Sequence, residues 1–168
     1  MKREIRVVMV IPQVGYNPPD LHAVKNAFRD RKARIWIAAS QKTDAYFINH
    51  KGEKIDPIPV NIAIKNVDHK KFDAVVFTGG NVNDYTYPTE TSKHVRQLIT
   101  RSLKTKRIVA FVGEGQKVWY DSDIEAKLKL RSHGGIQVGR PKYGGVLILA
   151  RSHSRSHEMV AEIFKKCP

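Results

Sequence analysis

Phe72-Asp73-Ala74-Val75-Val76-Phe77-Thr78-Gly79-Gly80 decides the fold. Its apolar core, Ala74 to Phe77, does not alternate with polar residues, which marks a strand buried on both faces, and it stops at a glycine pair that reads as a tight strand exit. The pattern recurs along the chain. Residues 5 to 11 form a first apolar strand followed by Gly15-Tyr16-Asn17-Pro18-Pro19-Asp20, a loop and helix start with proline tolerated in the first turn. Ile35 to Ala39 is a second strand, Ile108 to Val112 runs into Gly113-Glu114-Gly115, and Val146 to Ala150 is the last. Between them, apolar residues recur at helical spacing: Leu21, Val24 and Phe28; Val95, Leu98, Ile99 and Leu103; Met159, Val160, Ile163 and Phe164. Asp44 to Ile48 and Lys54 to Val60 are expected to pair as a hairpin across Asn49-His50-Lys51-Gly52. Ser122-Asp123-Ile124-Glu125 reads as a capping box opening a helix to about Leu130, closing before Gly134-Gly135.

Strands that alternate with helices through short loops predict an α/β domain, with a mostly parallel sheet covered on both faces and ligands at the carboxyl ends of its strands. With 168 residues and no internal repeat or linker, residues 1–168 are expected to form one domain. Thirty Lys and Arg against sixteen Asp and Glu give a net charge of +14. That excess suits a polyanion such as nucleic acid, or simply a solvated basic surface; many of the cations fall near predicted helix ends, where the dipole favours them. The first apolar run is too short for a membrane span or signal peptide, so no membrane association is expected. The lone cysteine, Cys167, supports neither a disulfide framework nor a cysteine metal site, and a cytoplasmic location is the expectation.

Two segments carry a family resemblance. Asn66 to Gly80 is similar to the "Val-Asp, then Phe/Tyr-Asp-Ala, then Pro-Gly-Gly" segment of the ThiJ/PfpI superfamily, with Thr78 at the proline. Lys106 to Gln116 resembles its nucleophile elbow, in which a strand is followed by Cys-His-Gly. This superfamily includes PfpI-type intracellular proteases and the parkinsonism-associated deglycases, and it groups with class I glutamine-amidotransferase-like domains. The resemblance implies a flavodoxin-like three-layer sandwich and a homo-oligomer, most simply a dimer. It also exposes departures. Aligning Gly115 with the family's glycine puts Gly113 at the cysteine and Glu114 at the histidine. The family's acid after the first strand is matched by Asn17, a neutral amide, so both acid and nucleophile are expected to be missing. The stretch before the last strand is short, so a strand is expected to be missing too.

The candidate ligand-binding residues are therefore Asn17, Gly79, Gly80, Asn81, Gly113, Gly115 and His153, with Glu114 as a candidate general base or a surface residue. Backbone amides after Gly79-Gly80 and at Glu114 to Gly115 could hold an anion as an oxyanion hole does. Arg151-Ser152-His153-Ser154-Arg155-Ser156-His157 could hold a phosphate or carboxylate at a helix start; alternatively Ser154 or Ser156 caps that helix and the arginines are solvated. His153 and His157 lack the carboxylate motif of a metalloprotease helix, so no metal is expected, and no cofactor. Tyr85, Tyr87, Trp119 and Tyr120 could stack on bases or line the pocket, burial being the simpler reading for Trp119. Three functions fit: a non-catalytic domain binding a partner or small anionic ligand, a nucleic-acid-associated basic protein, or an unconventional hydrolase or lyase using Glu114 and His153.

Overall fold

A computed structural model describes residues 3–86, 88–122, 128–142 and 144–167. The strands β1 (Arg6–Val10), β2 (Arg34–Ala39), β6 (Ala74–Phe77), β7 (Ile108–Val112) and β10 (Val146–Ala150) are mutually parallel, in the spatial order β2-β1-β6-β7-β10. A two-residue strand, β5 (Ile62–Ala63), extends the β2 edge in parallel. At the other edge β9 (Ile136–Gly139) pairs antiparallel with β10, and β8 (Arg131–His133) with β9. The hairpin expected after residue 44 forms as β3 (Ala45–Ile48) and β4 (Lys54–Ile58), outside the main sheet.

Alternate residues of each central strand feed two separate cores. Val7, Met9, Val76 and Ala110 pack with Leu21, Val24 and Phe28 of α1 (Pro18–Asp30) and with Met159, Val160 and Ile163 of α5 (Ser156–Lys166). Val8, Val10, Phe77 and Phe111 pack with Val95, Leu98, Ile99 and Leu103 of α3 (Glu90–Lys104). The short helices α2 (Asn83–Thr86) and α4 (Gln116–Asp121) complete that side with Tyr85 and Trp119. The result is the three-layer, mostly parallel α/β sandwich expected from the strand grammar. Because β1 connects to one side and β6 to the other, their carboxyl ends diverge at a switch point, where ligands of such sheets bind.

Two expectations need correcting. Ser122 stands at the end of α4, its hydroxyl donating to the Trp119 carbonyl at 2.6 Å, and the start of the helix expected from it falls outside the described residues. Residues 123–127 lie outside the described residues, and 128–130 are not helical. Gly134-Gly135 turns the β8–β9 hairpin rather than ending a helix, so the stretch read as short of a strand contributes two. An exposed Arg-Ser-His strand carries no apolar period to be read.

The amino ends of the strands are tied by Asp73, which is buried. Its carboxylate accepts the Arg6 amide at 2.9 Å, pairs with Arg3, and lies 3.5 Å from Arg107. Asp73→Ala leaves the Arg6 amide and Arg107 without that acceptor and should cost about 2 kcal/mol, read as a lower urea midpoint at unchanged slope. An unchanged midpoint would mean that water replaces the carboxylate without loss.

Candidate functional site

The loop after β1 and the loop after β6 are bonded back to back. Asn17 N–H donates to the Gly79 carbonyl at 3.0 Å and Asn81 N–H to the Gly15 carbonyl at 2.8 Å. Gly80 has a φ of +126°, and a Cβ there would stand 2.3 Å from the Gly15 oxygen, so only glycine fits. The Asn17 side chain is committed to structure: it accepts from the Asp20 amide at 3.0 Å and caps α1 ahead of Pro18 and Pro19. Asn81 does the same work for the next loop, its side chain accepting from the Asn83 amide at 3.3 Å.

The acid expected to be missing is present three residues later. Asp20, in the first turn of α1, is 4% exposed, and its Oδ2 accepts the Gly79 amide at 3.0 Å. A carboxylate therefore does stand beside the elbow, and it belongs to Asp20 rather than to the position of Asn17. The signal lay in Asn17-Pro18-Pro19-Asp20 itself: a capping residue at Asn17 leaves Asp20 as the acid facing inward. A Cβ at Gly113 would lie 2.9 Å from Asp20 Oδ2, and one at Gly79 2.6 Å from it. The carboxylate thus occupies the volume into which both side chains would project.

The elbow keeps its turn. Gly113 has a φ of +56°, the left-handed conformation that costs any other residue energy, and it begins a 3-10 turn, Gly113–Gly115, leading into α4. A Cβ at Gly115 would meet the Phe77 oxygen at 2.6 Å, which is how closely the elbow seats on β6. Gln116 fixes it from the far side, its amide donating to the carbonyls of Gly113 at 3.1 Å and Ala150 at 3.3 Å. Thr78, buried beneath this turn, has a hydroxyl with no partner among the described residues.

His153, on the loop after β10, reaches the same point: its Nδ1 is 3.6 Å from Asp20 Oδ1, with the imidazole half exposed. This orientation leaves Nε2 for a ligand. Glu114 stays at the surface, its carboxylate 3.8 Å from Lys117 and its side chain 55% exposed. The rest of the loop serves the fold. Arg155 pairs with Glu158 at 2.8 Å, Glu158 also accepts the Gly135 amide, and these contacts hold its carboxyl below the usual range. No side chain caps α5; the Ser156 hydroxyl turns back to the His153 carbonyl at 2.6 Å. Arg151 and His157 are exposed. Tyr85 and Trp119 are buried, Tyr120 is 65% exposed, and Tyr87 lies outside the described residues. Gly80 and Asn81 line an open cleft of about 720 Å³ that faces Lys117, Tyr120 and Asp121 of α4.

Cys167 offers no substitute nucleophile. It follows α5 at the amino end of the sheet, near Asp73, Arg3 and Arg107, and burial pushes its thiol up to about 11.

No protein-family model and no curated protein matches the sequence. Solved structures do match. A ThiJ/PfpI domain protein from Brachyspira murdochii superposes with a TM-score of 0.74 at 15% identity, covering 98% of this chain and 97% of that one. Oxidized DJ-1 from Toxoplasma gondii gives 0.72 at 11%, covering 96% and 89%. An isoprenoid biosynthesis protein with an amidotransferase-like domain from Ehrlichia chaffeensis gives 0.71 at 10%, covering 98% and 100%. The chain has the fold that these proteins share, as the two motif segments implied.

Burial pushes the Asp20 carboxyl above its ordinary range, opposed by the Gly79 amide and His153 and reinforced by Glu114. The stability that protonated Asp20 brings is full below the unfolded carboxylate value and is lost as pH rises through the higher folded value. Asp20→Asn should therefore gain stability over the native chain progressively as pH rises above the ordinary carboxylate range, read in urea unfolding; a difference independent of pH would contradict this. Gly113→Ala pays the left-handed cost and the contact with Asp20, whereas Gly52→Ala, at φ +79° with nothing within 4 Å, pays only the first. The Gly52 variant should lose about 1 kcal/mol and the Gly113 variant clearly more.

Proposed function

We propose that this chain is a non-catalytic variant of the ThiJ/PfpI-type fold whose elbow binds a small anionic ligand, a carboxylate or phosphate, without covalent chemistry. One observation carries the reading: the Asp20 carboxylate lies where a side chain at Gly113 would project. The nucleophile's place is filled by a group that is hydrogen-bonded to Gly79 and aligned with His153. Covalent catalysis through a thiolate has no atom to start from here. The elements around that position are ones that suit an anion. Backbone amides at Glu114 and Gly115 lie at the elbow turn, His153 stands beside it, and Lys117 and Asn81 border the adjoining cleft. Asp20 supports this arrangement by holding the imidazole beside the elbow, its Oδ1 3.6 Å from Nδ1.

The Asp20–His153 pair supports a second reading, an acid–base catalyst that needs no nucleophile, because a carboxylate that orients an imidazole is a common catalytic pairing. One set of measurements separates the two. Titration with inorganic phosphate and with acetate, followed by amide chemical shifts, should saturate with the largest changes at residues 113–115 and 153. His153→Ala and Lys117→Ala should each weaken binding by about tenfold. Absence of saturable binding would reject the proposal. Turnover of peptide, amide or reactive-carbonyl substrates that vanishes in His153→Ala or Glu114→Gln would replace it with the catalytic reading.

A further inference from the structure

Along the β8 edge of the sheet, the β8–β9 hairpin and the later part of α5 enclose a groove of about 480 Å³. Its position follows from strand register. Arg131 pairs with Val138, which lies opposite Ile148 in the middle of β10, His133 pairs with Ile136, and α5 runs back from the carboxyl ends to finish at Lys166. The groove is lined by Lys129, Arg131, Arg140, Lys165 and Lys166, together with His133, against one carboxylate, Glu162. Glu162 is buried and already occupied, 3.5 Å from Lys166 and 3.4 Å from His133. Lys129, Arg131, Arg140 and Lys165 have no carboxylate partner among the described residues. The chain builds this deliberately at Leu128-Lys129-Leu130-Arg131. The two leucines pack over Gly139, where a Cβ would stand 2.9 Å from each, while Lys129 and Arg131 are exposed.

We infer that this groove is a docking surface for the phosphate backbone of nucleic acid, a role separate from ligand binding at the elbow. Concentrated cations without acidic partners are the electrostatic footprint of a polyanion site. Among the described lining residues no Phe, Tyr or Trp offers a ring for stacking, so contact is with phosphates and independent of base sequence. An anionic membrane is a poorer fit, because interfacial binding draws on apolar anchors and Val138 is the only apolar one among the described lining residues. The cations on β8 also shield an edge strand from pairing with another sheet, and that role alone would predict no affinity for a polyanion.

Fluorescence anisotropy with labelled DNA and RNA duplexes, at salt from about 50 mM to about 250 mM, tests the inference. Four phosphate contacts give an expected log–log salt slope of about −3 to −4 on duplex DNA, and Lys129→Gln with Lys165→Gln should shrink it by about two. Arg131→Glu with Arg140→Glu should weaken binding by at least about tenfold at the lower salt. Lys42→Glu with Lys51→Glu, an equal charge change on exposed residues around the other hairpin, should weaken it by less than about threefold. Circular dichroism should show all three variants folded. Equal losses in the two Glu variants, no duplex binding at low salt, or binding only to phosphatidylserine vesicles would each overturn the assignment. None of these results depends on phosphate or acetate binding at the elbow, which is read separately at residues 113–115 and 153.

Discussion

A parallel sheet covered by helices on both faces leaves its polar atoms one exit, the strand ends. In β1, β6, β7 and β10 consecutive side chains enter one core or the other, and every one from Val7 to Val10, Ala74 to Phe77 and Ile108 to Val112 is buried. Chemistry therefore concentrates at the two rims. At the amino rim Asp73 gathers Arg3, Arg6 and Arg107; at the carboxyl rim Asp20 gathers Gly79, Gly113 and His153. Each buried carboxylate is a satisfied polar hub that a helix or a strand start delivers to the sheet's edge. The rest of the architecture sets where those hubs stand.

What could be read from the sequence followed the same division. Val75-Val76-Phe77 and Ile108 to Val112 announce themselves because burial on both faces leaves an unbroken apolar run, and the glycines after them mark the exits. The positions that bear on function were partly legible. Gly80 and Gly113 were placed correctly at the turns, where φ values of +126° and +56° demand glycine. Asp20 was missed because Asn17 stands nearer the strand end and offers a polar side chain of similar shape; only the cap it makes reveals that its oxygen is spent on the helix. The β8–β9 hairpin was invisible for the opposite reason. It is short, exposed and charged, and Gly134-Gly135 fits a helix stop as well as a hairpin turn.

The elbow shows how a strand-to-helix turn can be held without a side chain at its tip. A left-handed residue in a strand-to-helix turn is strained when it bears a side chain, and glycine removes that strain without moving the backbone. Here the volume that a side chain at Gly113 would take is filled, because the Asp20 carboxylate approaches to within contact of where a Cβ would be. Reintroducing a side chain would meet backbone strain and a charged neighbour together. The turn itself is held by its neighbours: Phe77 beneath Gly115 and Gln116 bridging to β10.

The edge and the carboxyl rim also give the molecule a direction. The hairpin groove lies along the β8 edge while the elbow stands at the carboxyl end of β7, so a body resting on that edge need not cover the rim. A chain held through Arg131 and Arg140 would carry Gly113 and His153 in a fixed orientation rather than as part of a freely tumbling particle.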